Sequence, residues 1–184
     1  RDPLISVVLA VFSIPFILFS VAAGSLADRF PKPHVVRGTK LMEVGIMSLG
    51  TIGLFLQNIP LLIGVLFLMS VQSAFFGPSK YGILPEMVNE KDLTRANGIV
   101  NMTTNVAIIL GTVVAGLIFT YLHGDDEGTA GHPYWWSGFF FITVALVGWS
   151  SSLFIGEGRP AADPDRPLRW NPIDGLREVK FLSE

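Results

Sequence analysis

The chain has no cysteine. This excludes disulfide frameworks, thiolate metal sites and cysteine nucleophiles together, and leaves the redox compartment unread. Charge is scarce as well: 15% of the 184 residues are charged, against roughly a quarter in soluble domains. The 13 basic and 15 acidic residues nearly cancel, to a formal net charge of −2. The basic ones are dispersed among apolar segments with no Lys/Arg block interleaved with aromatics, so no nucleic-acid partner is expected. His34, His123 and His132 have no companions at metal-ligand spacing, and no metal is expected. Phosphate-cradling Gly-rich loops, nucleophile elbows and catalytic triads are also missing, so no catalytic residue and no cofactor is assigned, and the chain is not read as an enzyme. At its start, Arg1-Asp2-Pro3 runs straight into apolar residues without a basic region or a small-residue cleavage site, which is not the pattern of a signal peptide.

Apolar residues, by contrast, make up half the chain, and the mean hydropathy is +0.52. Crossing a hydrocarbon core of ~30 Å takes about 20 residues of helix. Five stretches qualify or nearly so: residues 4–27, 35–57, 61–78, 99–122 and 135–155, the third being short. Five such helices in a soluble fold would leave almost no polar residues to cover them, and most lack the polar face of a helix lying on a membrane. The expected fold is therefore all-α, a polytopic membrane helix bundle over residues 1–156, followed by a cytoplasmic linker over 157–184.

The connections alternate in charge. Apart from Arg1, every Lys and Arg lies in the first link (Arg29, Lys32, Arg37, Lys40), the third (Lys80, Lys91, Arg95) or the tail (Arg159, Arg166, Arg169, Arg177, Lys180). The second and fourth links have none, and the fourth carries Asp125-Asp126-Glu127. The positive-inside rule puts the basic links and the tail in the cytoplasm and the N-terminus outside. A chain that starts outside without a signal sequence is expected to follow at least one further span, and more are expected behind.

One span ends in Gly24-Ser25-Leu26-Ala27-Asp28-Arg29, and basic residues Lys32 and Arg37 follow. Glycine permits close helix approach, and Asp28 at a helix end can pair with Arg29, Arg37 or a helix N-terminus elsewhere. From the residues alone, a latch and ordinary boundary charges stand level. The segment resembles the loop between the second and third helices of the major facilitator superfamily. That family usually continues with Gly and basic residues, where this chain has Phe30-Pro31-Lys32-Pro33-His34. The resemblance implies that the five spans are helices two to six of a transporter's N-terminal half, with Gly24, Asp28, Arg29 and Arg37 as a cytoplasmic gate.

A second motif runs from Gln72 through Gly77-Pro78-Ser79-Lys80-Tyr81-Gly82 and Leu84-Pro85-Glu86 to Leu93-Thr94-Arg95-Ala96-Asn97-Gly98 and Ile108-Ile109-Leu110-Gly111-Thr112. It resembles the lysophospholipid transporter branch of that superfamily, including versions fused to an acyltransferase and acyl-carrier-protein synthetase. Arg169-Trp170-Asn171-Pro172 is similar to the linker between the halves of those proteins. The resemblance implies movement of lysophospholipids such as lysophosphatidylethanolamine across or between leaflets of a bacterial inner membrane for re-acylation. It also implies a C-terminal transporter half and a fused or associated acyltransferase as partners, and a role for Lys80, Tyr81, Glu86 and Arg95 in the family's loop.

Such a lipid needs an apolar groove with a few polar groups for its head. In the fourth span Asn97, Asn101 and Asn105 recur every four residues and, with Thr104 and Thr112, make one polar stripe, which reads equally as cavity wall or as interhelical hydrogen bonding. Glu43 is the one acidic residue expected within the hydrocarbon depth: a proton relay, the partner of a distant cation, or an interfacial carboxylate paired with Lys40 three residues away. Gln72 is a head-group donor or a helix bridge. Two other classes of function remain open from the sequence, an exporter of drugs or small metabolites and a non-transporting membrane scaffold.

Overall fold

The structure is a computed structural model that describes residues 3–123, 135–156 and 160. The acidic link with Asp125-Asp126-Glu127, His132, Tyr134 and the tail motif Arg169-Trp170-Asn171-Pro172 lie outside the described residues.

Six α-helices follow one another: α1 (Pro3–Arg29), α2 (Lys32–Phe55), α3 (Ile59–Gly82), the one-turn α4 (Leu84–Met87), α5 (Leu93–His123) and α6 (Trp135–Leu153), with a 3-10 turn at Glu90–Asp92 before α5. Among the described residues there is no strand. The helices α1, α3, α5 and α6 are long and apolar enough to cross a membrane, and the chain is an all-α, multi-pass membrane protein.

Helix α2 departs from the expectation of five equivalent spans. At 24 residues it has the length, but Lys32, Arg37, Lys40 and Glu43 lower its hydropathy, and it is not among the four. Its position explains how it carries them, because one flank of α2 packs along α3 and the other along α6. The helices also outrun their apolar runs. α3 continues through Pro78 to Gly82, and α5 begins at Leu93, six residues before the apolar stretch does. Hydrogen bonding along a helix does not stop where hydrophobicity does.

Local chemistry sets the turns. Phe30 N donates to Leu26 O at 3.1 Å to close α1, and Pro31 and Pro33 restart the chain as α2, proline being tolerated where a first-turn N–H has no partner. At the other end of α2, Gln57 takes φ 50°, its N–H reaches Leu54 O at 3.2 Å, and Asn58 N–H reaches Gly53 O at 3.0 Å. These are the two bonds of a Schellman C-cap. Asn58 then caps α3, its Oδ1 accepting from Leu61 N at 3.0 Å.

In space the order is α1, α3, α2, α6. Small buried residues (Ala22, Ala23, Ala27 on α1; Ala74 on α3) let the first pair close. Ser70 is fully buried and donates to Phe12 O on α1. Between α2 and α6 there is no room for a side chain at Gly138: a Cβ there would lie 2.6 Å from Thr51 Cγ2. Helix α5 is joined through α4 and the 3-10 turn at its N-terminal end, and every residue from 93 to 121 is half-buried or exposed.

Candidate functional site

Three polar clusters stand out: two at the end of the bundle where α1 finishes, α2 starts, α3 finishes and α6 finishes, and one nearer the middle of α2 and α3.

The first lies between α2 and α3. Lys40 Nζ and Glu43 Oε2 are 2.7 Å apart, with side chains 23% and 18% exposed. The buried Gln72 donates through Nε2 to the same carboxylate oxygen at 3.4 Å and to Thr39 O at 3.3 Å, and Ser73 Oγ donates to Gln72 Oε1 at 3.4 Å. The Lys40 ammonium also sits 4.9 Å from the centre of the Phe76 ring, a cation–π contact. Glu43 is the twelfth of the helix's 24 residues, so this charge lies midway along α2. Of the readings open to Glu43 and Gln72, the geometry joins the Lys40 pair to the helix bridge in one charge-neutral network, which suits a low-dielectric setting.

The second cluster is the gate segment. Asp28 and Arg29 are half-buried in the last turn of α1, and the Arg29 guanidinium carbon lies 5.9 Å from the Phe30 ring centre. Arg37 stands elsewhere: it donates through Nη2 to Ile155 O and through Nε to Ser152 O at 3.4 Å, holding carbonyls at the end of α6 where the helix dipole is negative. Gly24 does not serve a close contact among the described residues, since a Cβ there would meet nothing within 4 Å.

The third cluster is the family-motif loop. Lys80 Nζ donates to Thr104 Oγ1 at 2.7 Å and Tyr81 Oη to Asn101 Oδ1 at 2.9 Å, tying the end of α3 to the polar stripe of α5. Asn105 is spent within its own helix, donating to Asn101 O at 3.0 Å. Asn97 is half-buried one turn earlier. Glu86 forms an ion pair with Lys32, on which Gly82 also packs, so a Cβ at Gly82 would lie 2.9 Å from Lys32 Cε. Arg95 is exposed and shares a cavity with Glu86. The cavity candidates thus divide: Glu43 and Gln72 meet between α2 and α3, while Asn101 and Thr104 meet α3 at its C-terminal end.

Two cavities flank these clusters. An apolar groove of about 440 Å³ between α1 and α2 is lined by Leu26, His34, Val35, Met42 and Phe75 among others. A polar basin of about 510 Å³ opens between α4 and the start of α5, and Glu86, Asn89, Asp92 and Arg95 line it. Sequence reasoning missed Lys32, Asn89 and Asp92 as site residues. The Lys32–Glu86 pair spans 54 positions, a separation at which local spacing holds no signal. No group of three or more His, Asp or Glu able to hold a metal occurs among the described residues.

The Major Facilitator Superfamily pattern matches residues 2–180. Among curated proteins, a lysophospholipid transporter LplT from Photorhabdus laumondii is 36% identical over 108 residues, which are 59% of this chain and 26% of that protein. The proteins of that name from Salmonella newport and Salmonella heidelberg are 34% identical over 108 residues, again 59% and 26% of the respective chains. The chain therefore matches about a quarter of the length of these relatives. No solved structure matches. With its family pattern running nearly from end to end and its helices long and apolar enough to span a bilayer, the chain belongs to the Major Facilitator Superfamily.

Proposed function

We propose that this chain is part of a secondary transporter that moves lysophospholipids, of the lysophosphatidylethanolamine kind, across or between leaflets of a bacterial inner membrane for re-acylation. The observation that carries the reading is the 108-residue match to proteins named as lysophospholipid transporters. The third-link motif agrees with it, and so does the way Lys80 and Tyr81 use that link to hold the α5 polar stripe. In the proposed orientation the gate segment and the family-motif loop are cytoplasmic, following the positive-inside rule, and Asp28 and Arg29 form a gate latch toward the other transporter half. The polar face of α5 around Asn97 to Asn105 contributes cavity wall, and the chain itself carries out no covalent chemistry.

The test is a flux measurement on the full-length protein in vesicles with labelled lysophosphatidylethanolamine, beside Asp28→Asn and Asn101→Leu. Flux above protein-free vesicles that drops in folded Asp28→Asn supports the transporter and its latch. A folded protein with no flux overturns the lipid substrate and points to drugs or small metabolites. Flux indifferent to Asp28→Asn removes the latch, and a protein that moves no solute of any class is a scaffold.

A further inference from the structure

Helices α1 and α2 stand on either side of α3 and touch little beyond the turn that joins them. The gap between them is the apolar groove of about 440 Å³, a volume within the range of small-ligand sites. Ala22, Leu26 and Phe30 form its α1 wall at four-residue intervals, His34, Gly38 and Met42 form its α2 wall at the same spacing, and Phe75 of α3 lies between. Two of these positions keep the groove open. Ala22 is small, and a Cβ on Gly38 would meet nothing within 4 Å. Phe30 and Met42, at its lips, are 43% and 39% exposed.

Polar chemistry is confined to one end of the groove. Two polar side chains line it, and the Thr39 hydroxyl is already spent on Val35 O and Val36 O at 2.9 and 3.0 Å. The other is His34, exposed in the first turn of α2. Of the cations near this turn, Lys32 pairs with Glu86 and Arg37 holds the end of α6, whereas the Arg29 guanidinium lies 5.9 Å from the ring centre of Phe30 on the lip. No carboxylate is among the described lining residues. A ligand that fits therefore has a long apolar body and one anionic end. From Ala22 to Phe30 the helix rises about 12 Å, close to the ~15 Å of one leaflet of a ~30 Å hydrocarbon core.

We infer that the groove holds one acyl chain of an anionic diacyl phospholipid, of the phosphatidylglycerol kind, from the leaflet on the side of the α1–α2 turn, with the phosphate at Arg29 and His34. Cations at a membrane surface favour anionic head groups. The lipid is a resident of the fold and not cargo, since its chain supplies the packing that α1 and α2 do not give each other. The inference needs the membrane-spanning helices and does not rest on the lysophospholipid reading.

The experiment is thermal unfolding of the purified full-length protein in detergent, titrated with phosphatidylglycerol, phosphatidylcholine or lysophosphatidylethanolamine, because a ligand of the folded state raises the melting temperature by mass action. Phosphatidylglycerol is expected to raise it, with about tenfold more phosphatidylcholine needed for the same shift, the usual scale of one charged hydrogen bond. Arg29→Gln removes that preference. Gly38→Leu puts a side chain into the groove, so the shift vanishes while the lipid-free melting temperature stays at or above the parent's. Gly38→Ala gains as much helix propensity but adds a single carbon, and keeps the shift. Survival of the shift in Gly38→Leu, or its loss in Gly38→Ala as well, overturns the inference. So does a Gly38→Leu protein less stable than the parent without lipid, which shows the groove filled by another part of the full-length protein. An equal Gly38-dependent shift with lysophosphatidylethanolamine makes the groove part of a substrate path and overturns the resident lipid. A preference for phosphatidylglycerol that Arg29→Gln leaves intact overturns the placement of the head group. The Gly38-dependent shift in a protein that moves no lysophospholipid overturns the transport reading and keeps the groove.

Discussion

Lys40, Glu43 and Gln72 illustrate what a single residue's neighbours decide. The three-residue spacing of Lys40 and Glu43 already allows their pairing on one helix face, but Gln72 joins them from 29 positions away. Removing one member of a buried pair strands the other charge, whereas removing both can be nearly neutral. Lys40→Met is therefore expected to lower the melting temperature of the purified full-length protein more than Lys40→Met combined with Glu43→Leu. Additive losses in the two single variants would show the charges to be uncoupled. Arg37 teaches the complementary lesson. Its sequence context suggested a gate, yet its guanidinium reaches Ile155 O, 118 positions away, and closes the end of α6. Arg37→Met should destabilise that helix end by about 1 kcal/mol, the scale of a cation at a helix C-terminus, read as faster amide exchange in the last turn of α6.

At the scale of elements, the turn between α2 and α3 and the contact between α2 and α6 are governed by different physics. The turn is local: Asn58 both completes the cap of α2 and caps α3. Asn58→Ala should cost about 1 kcal/mol, the typical value of an N-cap, in a thermal or denaturant unfolding series. The α2–α6 contact is long-range and steric. With Thr51 2.6 Å from where a Gly138 Cβ would sit, Gly138→Val forces the helices apart, at about 1–3 kcal/mol for overpacking. The check is whether Thr51→Ala restores part of that loss in the same unfolding assay. Sequence reading singled out neither glycine nor threonine here, because a close approach between helices is a property of the pair. It did read the apolar lengths of the spans, and missed their polar extensions such as the first turns of α5, where hydrogen bonding carries the helix past the end of the apolar run.

For the whole molecule, the alternation of basic and uncharged links leads to the proposed orientation. The chain has no cysteine, so a thiol introduced into it reports from one place. With any cysteines elsewhere in the full-length protein replaced, Asn58→Cys is expected to react with an impermeant thiol reagent in intact cells, and Lys91→Cys only after the membrane is opened. The reverse pattern would turn the topology over and place the polar basin outside.

The sequence by itself determined that this is an all-helical membrane protein, because length and apolarity are properties of a contiguous stretch measured against a bilayer of fixed thickness. It also carried the family, since signature residues are read in chain order. Only the tertiary structure decided that α2, the most charged of the long helices, lies between α3 and α6, and that the expected cavity residues divide into two separate clusters. It alone brought Lys32 to Glu86 and left one oxygen of that carboxylate without a partner among the described residues. Such meetings depend on which helix packs beside which, and the order in space, α1, α3, α2, α6, is not the order along the chain.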